Sequence, residues 1–91
     1  MRRVVISNMA KAEIAGQIAY IREHNPSAAQ RQRERISRAV ARLREMPGLG
    51  GKPGRVEGTR GFIVTGTPFI LIFEESGKRI DFLHVLHGRQ Q

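Results

Sequence analysis

Five consecutive apolar residues, Phe69-Ile70-Leu71-Ile72-Phe73, set the hardest condition on how this chain folds. The run is far too short to span a membrane. Its β-branched and aromatic make-up reads as a strand. Side chains alternate across a strand, so Phe69, Leu71 and Phe73 point one way and Ile70 and Ile72 the other. Both faces are apolar, and both must be kept from water. A chain of 91 residues has room for a single domain, residues 1–91, with a modest core. Covering the second face therefore needs either the chain ends folded back over it or a partner laid on it.

The flanking sequence supplies cover for one face. Residues 2–6 (RRVVI) are short and β-branched, a first strand. Ser7 or Asn8 can cap a following helix. Ala10, Ile14, Ile18 and Ile21 then recur at helical spacing, predicting an amphipathic helix over about 9–24. Asn25-Pro26 ends that helix, because the residue before proline avoids helical geometry. The same pair starts the next one, with Asn25 as cap and Pro26 in the first turn. This second helix, over about 26–46, gathers Ala29, Ile36, Val40 and Leu43 on one side, and Met46-Pro47-Gly48 stops it. The two helices form an antiparallel hairpin. A glycine-rich, basic stretch, PGLGGKPGRVEGTRG (47–61), reads as a flexible connection. Beyond it the periodicity changes, and residues 62–64, 69–73 and 79–86 read as three strands. They are separated by the turn-like TGTP (65–68) and ESGK (75–78). The order is β-α-α-β-β-β. It specifies an α+β fold with a helical hairpin packed on one face of a small, mainly antiparallel sheet.

Charge narrows the partners. Sixteen Lys and Arg stand against eight Asp and Glu, a net +8, and thirteen of the sixteen are arginine. Such an excess favours polyanionic surfaces: nucleic acid, a nucleoprotein machine or an acidic protein. Its densest expression is Arg31, Arg35, Arg38 and Arg42, placed almost diametrically opposite the apolar side of the second helix. A solvated helix face would serve there too, but it would accept Glu or Lys equally. Four arginines in register form a ridge suited to phosphates or carboxylates.

Several chemistries are disfavoured. A phosphate-binding loop around Gly51-Lys52 fails at both ends, since Met46 stands where the first glycine belongs and Pro53 where Ser or Thr belongs. His84 and His87 project to opposite faces of a strand, and no carboxylate or cysteine clusters with them, so no metal and no other cofactor is expected. The N-terminus lacks the apolar run of a secretory signal, no segment suits a membrane, and the expected location is cytoplasmic. A metal-free ribonuclease remains the sharpest enzymatic possibility. It would need cations to hold phosphate and an acid or base for the ribose and leaving oxygens. Arg55, Arg60, Arg79, Arg89 and His87 could contribute. Tyr20, the one tyrosine, falls in the first helix, and tryptophan is absent.

Four stretches in this order, NPSAA (25–29), LREMPGLGGKPGRVEGTRGFIV (43–64), TPFILIF (67–73) and VLHGR (85–89), resemble the RelE/ParE superfamily of bacterial type II toxins. The resemblance covers nearly the whole chain. It implies a toxin neutralised by a cognate antitoxin, in a hetero-oligomer that meets operator DNA only through the antitoxin. RelE-like members cut messenger RNA in the ribosome without metal; ParE-like members poison DNA gyrase. The arginine that ribonuclease members carry in the middle strand falls here on Ile70, which cannot grip phosphate. The resemblance is therefore closer to the ParE branch, with gyrase as the expected target and no catalytic residues. Were the chain a ribonuclease, the resemblance would assign the work to Arg60, His87 and Arg89. A degenerate member that only binds its antitoxin is a third possibility. The expected partner-binding residues are Arg31, Arg35, Arg38, Arg42, Arg60, Ile70, Ile72, His87 and Arg89.

Overall fold

In a computed structural model, the structure describes residues 2–50, 52–53 and 57–88. The elements are β1 (Arg3–Ile6), α1 (Asn8–His24), α2 (Pro26–Glu45), a 3-10 turn (Pro47–Leu49), β2 (Lys52–Pro53), β3 (Arg60–Ile63), β4 (Phe69–Ser76) and β5 (Arg79–His87). They form one sheet of spatial order β1-β5-β4-β3-β2. Only β1 and β5 run parallel; the other neighbours are antiparallel. This is the expected α+β fold, with one addition. Within the glycine-rich stretch, Pro47–Leu49 form a 3-10 turn and Lys52–Pro53 pair with β3.

Both helix starts rest on local chemistry. The Ser7 hydroxyl accepts a hydrogen bond from the Ala10 amide at 2.9 Å, capping α1. Asn25 alone separates the helices, and its side chain accepts from the Ala28 amide at 3.1 Å while Pro26 occupies the first turn of α2. At the far end of α2, the Arg2 guanidinium donates to the Arg44 carbonyl at 3.1 Å, and Arg44 Nε donates to the Arg2 carbonyl at 2.6 Å. This clasp ties β1 to the helix terminus, where cations and donors are favoured.

The apolar strand lies at the centre of the sheet. Phe69, Leu71 and Phe73 pack with Ile80, Phe82 and Val85 beneath Ala10, Ile36, Ala39 and Leu43 of the hairpin. On the other face Ile70 and Ile72 are 9% and 4% exposed, so this chain closes that face too. Their register neighbours there are Ile63 and Gly61 on β3 and Leu86 and His84 on β5. The isoleucines lean over Gly61, where a Cβ would lie 3.6 Å from Ile72 Cδ1 and 3.7 Å from Ile70 Cγ2. A partner is not needed to bury them, which removes one of the two covers expected from sequence. The other, folding back of the chain ends, involves residues 89–91, which lie outside the described residues.

A register shift makes β5 fit. Ile72 pairs with His84 and Phe73 with Phe82, so Leu83 has no partner on β4. Before this bulge Ile80 and Phe82 face the helices, and after it Val85 and His87 do. Strict alternation would have turned Val85 outward. β1 pairs only with residues 79–82, leaving the rest of that edge open. The start of α1 closes it. The Ser7 amide donates to the Phe82 carbonyl at 2.9 Å, the Ser7 hydroxyl to the Leu83 carbonyl at 2.7 Å, and the Val85 amide to Glu13 Oε1 at 3.0 Å. Unpaired strand edges invite association, and here side chains occupy this one.

Ile72→Arg should lower the stability of the isolated protein by about 3 kcal/mol or more, since it buries an unpaired charge. A urea unfolding curve measures this, and an unchanged midpoint would show the second face to be open. The backbone before β2 offers a matched pair. A Cβ at Gly50 would run into the Phe73 ring, whereas at Gly48 it meets nothing within 4 Å. Gly50→Ala should cost about 1–3 kcal/mol by overpacking, and Gly48→Ala should stay within about 0.5 kcal/mol.

Candidate functional site

The hairpin crosses the sheet so that one flank of α2 looks onto β3. Between them runs an open groove of about 350 Å³ lined by Arg35, Arg38, Ala39, Arg42, Phe62, Val64 and Thr65. Three of the four ridge arginines therefore stand over an apolar floor. The sequence places the ridge almost diametrically opposite the core side of α2, and the structure corrects this. Ala39 is buried alongside Ala29, Ile36 and Leu43, which widens the core-facing arc toward Arg35 and Arg42. The ridge consequently borders the sheet.

Its members have different surroundings. Arg31 lies outside the groove lining and donates to the Ser27 hydroxyl at 3.2 Å, one turn earlier. Arg35 reaches across to the β3–β4 turn and donates to the Thr65 carbonyl at 3.3 Å. Its guanidinium fills the place a side chain would take at residue 66, where Gly66 has φ +77°. Glycine suits this position because of its positive φ. Arg38 and Arg42 have neither a hydrogen-bonded nor an ion-pair partner among the described residues.

The other expected residues do not assemble with these. Arg60 opens β3, pairs in register with Phe73 and approaches the Pro47 carbonyl at 3.5 Å. His87 closes β5, opposite Phe69, with its ring edge-on to that phenylalanine at 6.2 Å between centroids. Phe69 and Phe73 lie four residues apart on β4, so Arg60 and His87 are separated by about 13 Å along the strands and about 10 Å across them. Ile70 and Ile72 are interior residues and present no free contact surface; the large apolar residue exposed on their face is Ile63. Arg89 lies outside the described residues. No group of three or more His, Asp or Glu among the described residues could hold a metal ion. No helix of the described residues is long and apolar enough to cross a membrane.

Ala39, Phe62, Val64 and Thr65 are the site residues that sequence reasoning does not find. Phe62 and Val64 are legible only as strand residues. Their meeting with α2 is a tertiary event that neither segment shows by itself.

Comparison with known proteins places the chain. The family described as the ParE toxin of the type II toxin–antitoxin system, parDE, matches residues 4–91. The chain belongs to the ParE toxin family. It is thus a type II toxin of the RelE/ParE superfamily, as the sequence resemblance implies. A relative from Sinorhizobium fredii named "Putative toxin Y4kP" is 38% identical over 73 residues, covering 80% of this chain and 74% of that one. Among solved structures, the chromosomal ParDE TA system from P. aeruginosa superposes with a TM-score of 0.84 at 24% identity, over 96% of each chain. The E. coli DinJ-YafQ toxin–antitoxin complex gives 0.59 at 15% identity, over 98% of this chain and 94% of that one. At these identities the two structures establish a shared fold.

The geometry of this ParE-family chain separates the arginines by role. Arg35→Ala should cost about 0.5–1.5 kcal/mol by releasing the β3–β4 turn. Arg31→Ala should leave stability unchanged within about 0.5 kcal/mol. Thermal unfolding of the two variants side by side checks this; equal loss would remove the special role of Arg35.

Proposed function

We propose that this chain arrests growth as a ParE-type toxin, by binding DNA gyrase and stalling it on cleaved DNA, and that a cognate antitoxin neutralises it. The observation that carries the gyrase reading is the middle strand. Ile70 stands at the position the resemblance gives to a phosphate-gripping arginine, and it is packed into the sheet. A buried aliphatic side chain cannot supply the electrostatic stabilisation that metal-free phosphodiester cleavage demands. The separation of Arg60 from His87 supports the same reading, because general acid–base chemistry needs its groups within hydrogen-bonding reach of one substrate.

The antitoxin reading draws on family membership and on charge. A net +8 calls for an acidic counterpart, and complementary charge speeds encounter and selects the partner. The complex would meet operator DNA through the antitoxin. The site of action would be the cytoplasm, where gyrase works.

Addition of the purified chain to gyrase in a supercoiling assay should inhibit the enzyme in proportion to its concentration. The same preparation in a translating extract should leave messenger RNA intact. Full supercoiling together with message cleavage would overturn the proposal in favour of a ribosome-dependent endoribonuclease. Inactivity in both assays would make the chain a member that only binds its antitoxin.

A further inference from the structure

We propose that the seam between the two helices, on the flank of α2 away from β3, binds a free anionic amphiphile with a single apolar chain, such as a fatty carboxylate. Its head is held by Arg33 and Ser37, and its chain lies over Ile6, Ile14, Ile36 and Val40. The site is separate from the groove over β3 and does not depend on what the toxin attacks.

Three observations carry it. The first is the way two stripes meet. Lys11, Ile14, Ala15, Ile18 and Arg22 recur at helical spacing on one face of α1, and Arg33, Ile36, Ser37 and Val40 do so on α2. The fold sets these faces against each other and leaves two crevices between them. One, of about 320 Å³, is lined by the five α1 residues and Arg33; the other, of about 250 Å³, by the four α2 residues with Ile14 and Ile6. They abut at Ile14 and Arg33, which line both. Together they reach the size of ordinary small-molecule sites, roughly 300–1,000 Å³, and such sites favour the space between packed helices.

The second observation is that the apolar lining is recessed. Ile18 and Ile36 are buried, and Ile6, Ile14 and Val40 are partly so. The large apolar residues that stand exposed among the described residues, Met9, Tyr20, Met46, Leu49 and Ile63, lie elsewhere. A flat membrane or a nucleic-acid duplex would rest on the rim without reaching the aliphatic groups. A slender chain enters between the helices and covers them.

The third is the charge of the rim. The polar members of the lining are Lys11, Arg22, Arg33 and Ser37. Arg33 and Ser37 are one helical turn apart, so a guanidinium and a hydroxyl stand side by side at the smaller crevice. A carboxylate takes two parallel hydrogen bonds from a guanidinium and a further one from a hydroxyl. Arg33 also stands almost half a turn around α2 from Arg42, which places this site and the arginine-lined groove on opposite flanks of one helix.

The test uses the full chain, isotope-labelled for NMR, and decanoate below its micelle concentration. Hexanoate and decyltrimethylammonium serve as comparisons. Decanoate should shift the amide signals of Ile14, Ser37 and Val40 and leave those of Phe62 and Thr65 in place. Hexanoate should bind roughly tenfold or more weakly, since each methylene buried in the seam adds affinity. The cationic amphiphile should not shift these amides. Arg33→Glu should weaken decanoate about tenfold, whereas Arg31→Glu, outside the lining, should change it by less than about twofold. If Arg33→Glu does not fold, Arg33→Gln takes its place. Four results would each overturn the proposal: no shift in the seam, equal affinity for hexanoate and decanoate, equal weakening by the two charge reversals, and equal shifts with the cationic amphiphile.

Discussion

Everything in this molecule is arranged around a central strand that must be dry on both faces. Five apolar side chains of β4 would expose an aggregation-prone ribbon unless the chain covered them. The phenylalanines and Leu71 take the deeper face, under the hairpin, where the volume they need is supplied by two helices. The isoleucines take the other face, beside Gly61 and Ile63 of β3 and His84 and Leu86 of β5.

That arrangement leads to the site. Burying the phenylalanine face brings Ala39 down onto the core and rotates α2, so its arginines border β3. A ridge that would otherwise be a solvated helix face becomes one wall of a groove with an apolar floor. Arg35 joins wall to turn, and Gly66 provides the notch it occupies. The same packing also withdraws Ile70 from solvent. Ile70 is core rather than surface in this arrangement, and Arg60 and His87 stand opposite the two ends of the apolar run on β4.

Much of the fold was legible because its signals are local. Ser7 and Asn25-Pro26 cap helices through atoms three residues away, and the alternation in FILIF needs only the strand itself. What escaped reading depends on distant residues. The Leu83 bulge exists because β4 and β5 must both present apolar side chains inward, and neither strand alone shows it. Glu13 holds the β5 edge from 72 residues away, and Arg35 meets Thr65 across 30. The ridge arginines were visible in the sequence, but the floor beneath them was not. Ala39 is too small to weigh in an apolar stripe, so the periodicity of α2 alone points its arginines to solvent, whereas the fold sets them beside β3.

The central claim is that this fold poisons a DNA-cleaving machine rather than cutting RNA. The most direct measurement adds the purified chain to gyrase, ATP and closed circular DNA, stops the reaction with detergent, and looks for protein-linked linear DNA. The account predicts such breaks in amounts that rise with the chain and vanish when gyrase is left out. Circles that stay intact at every concentration would contradict it.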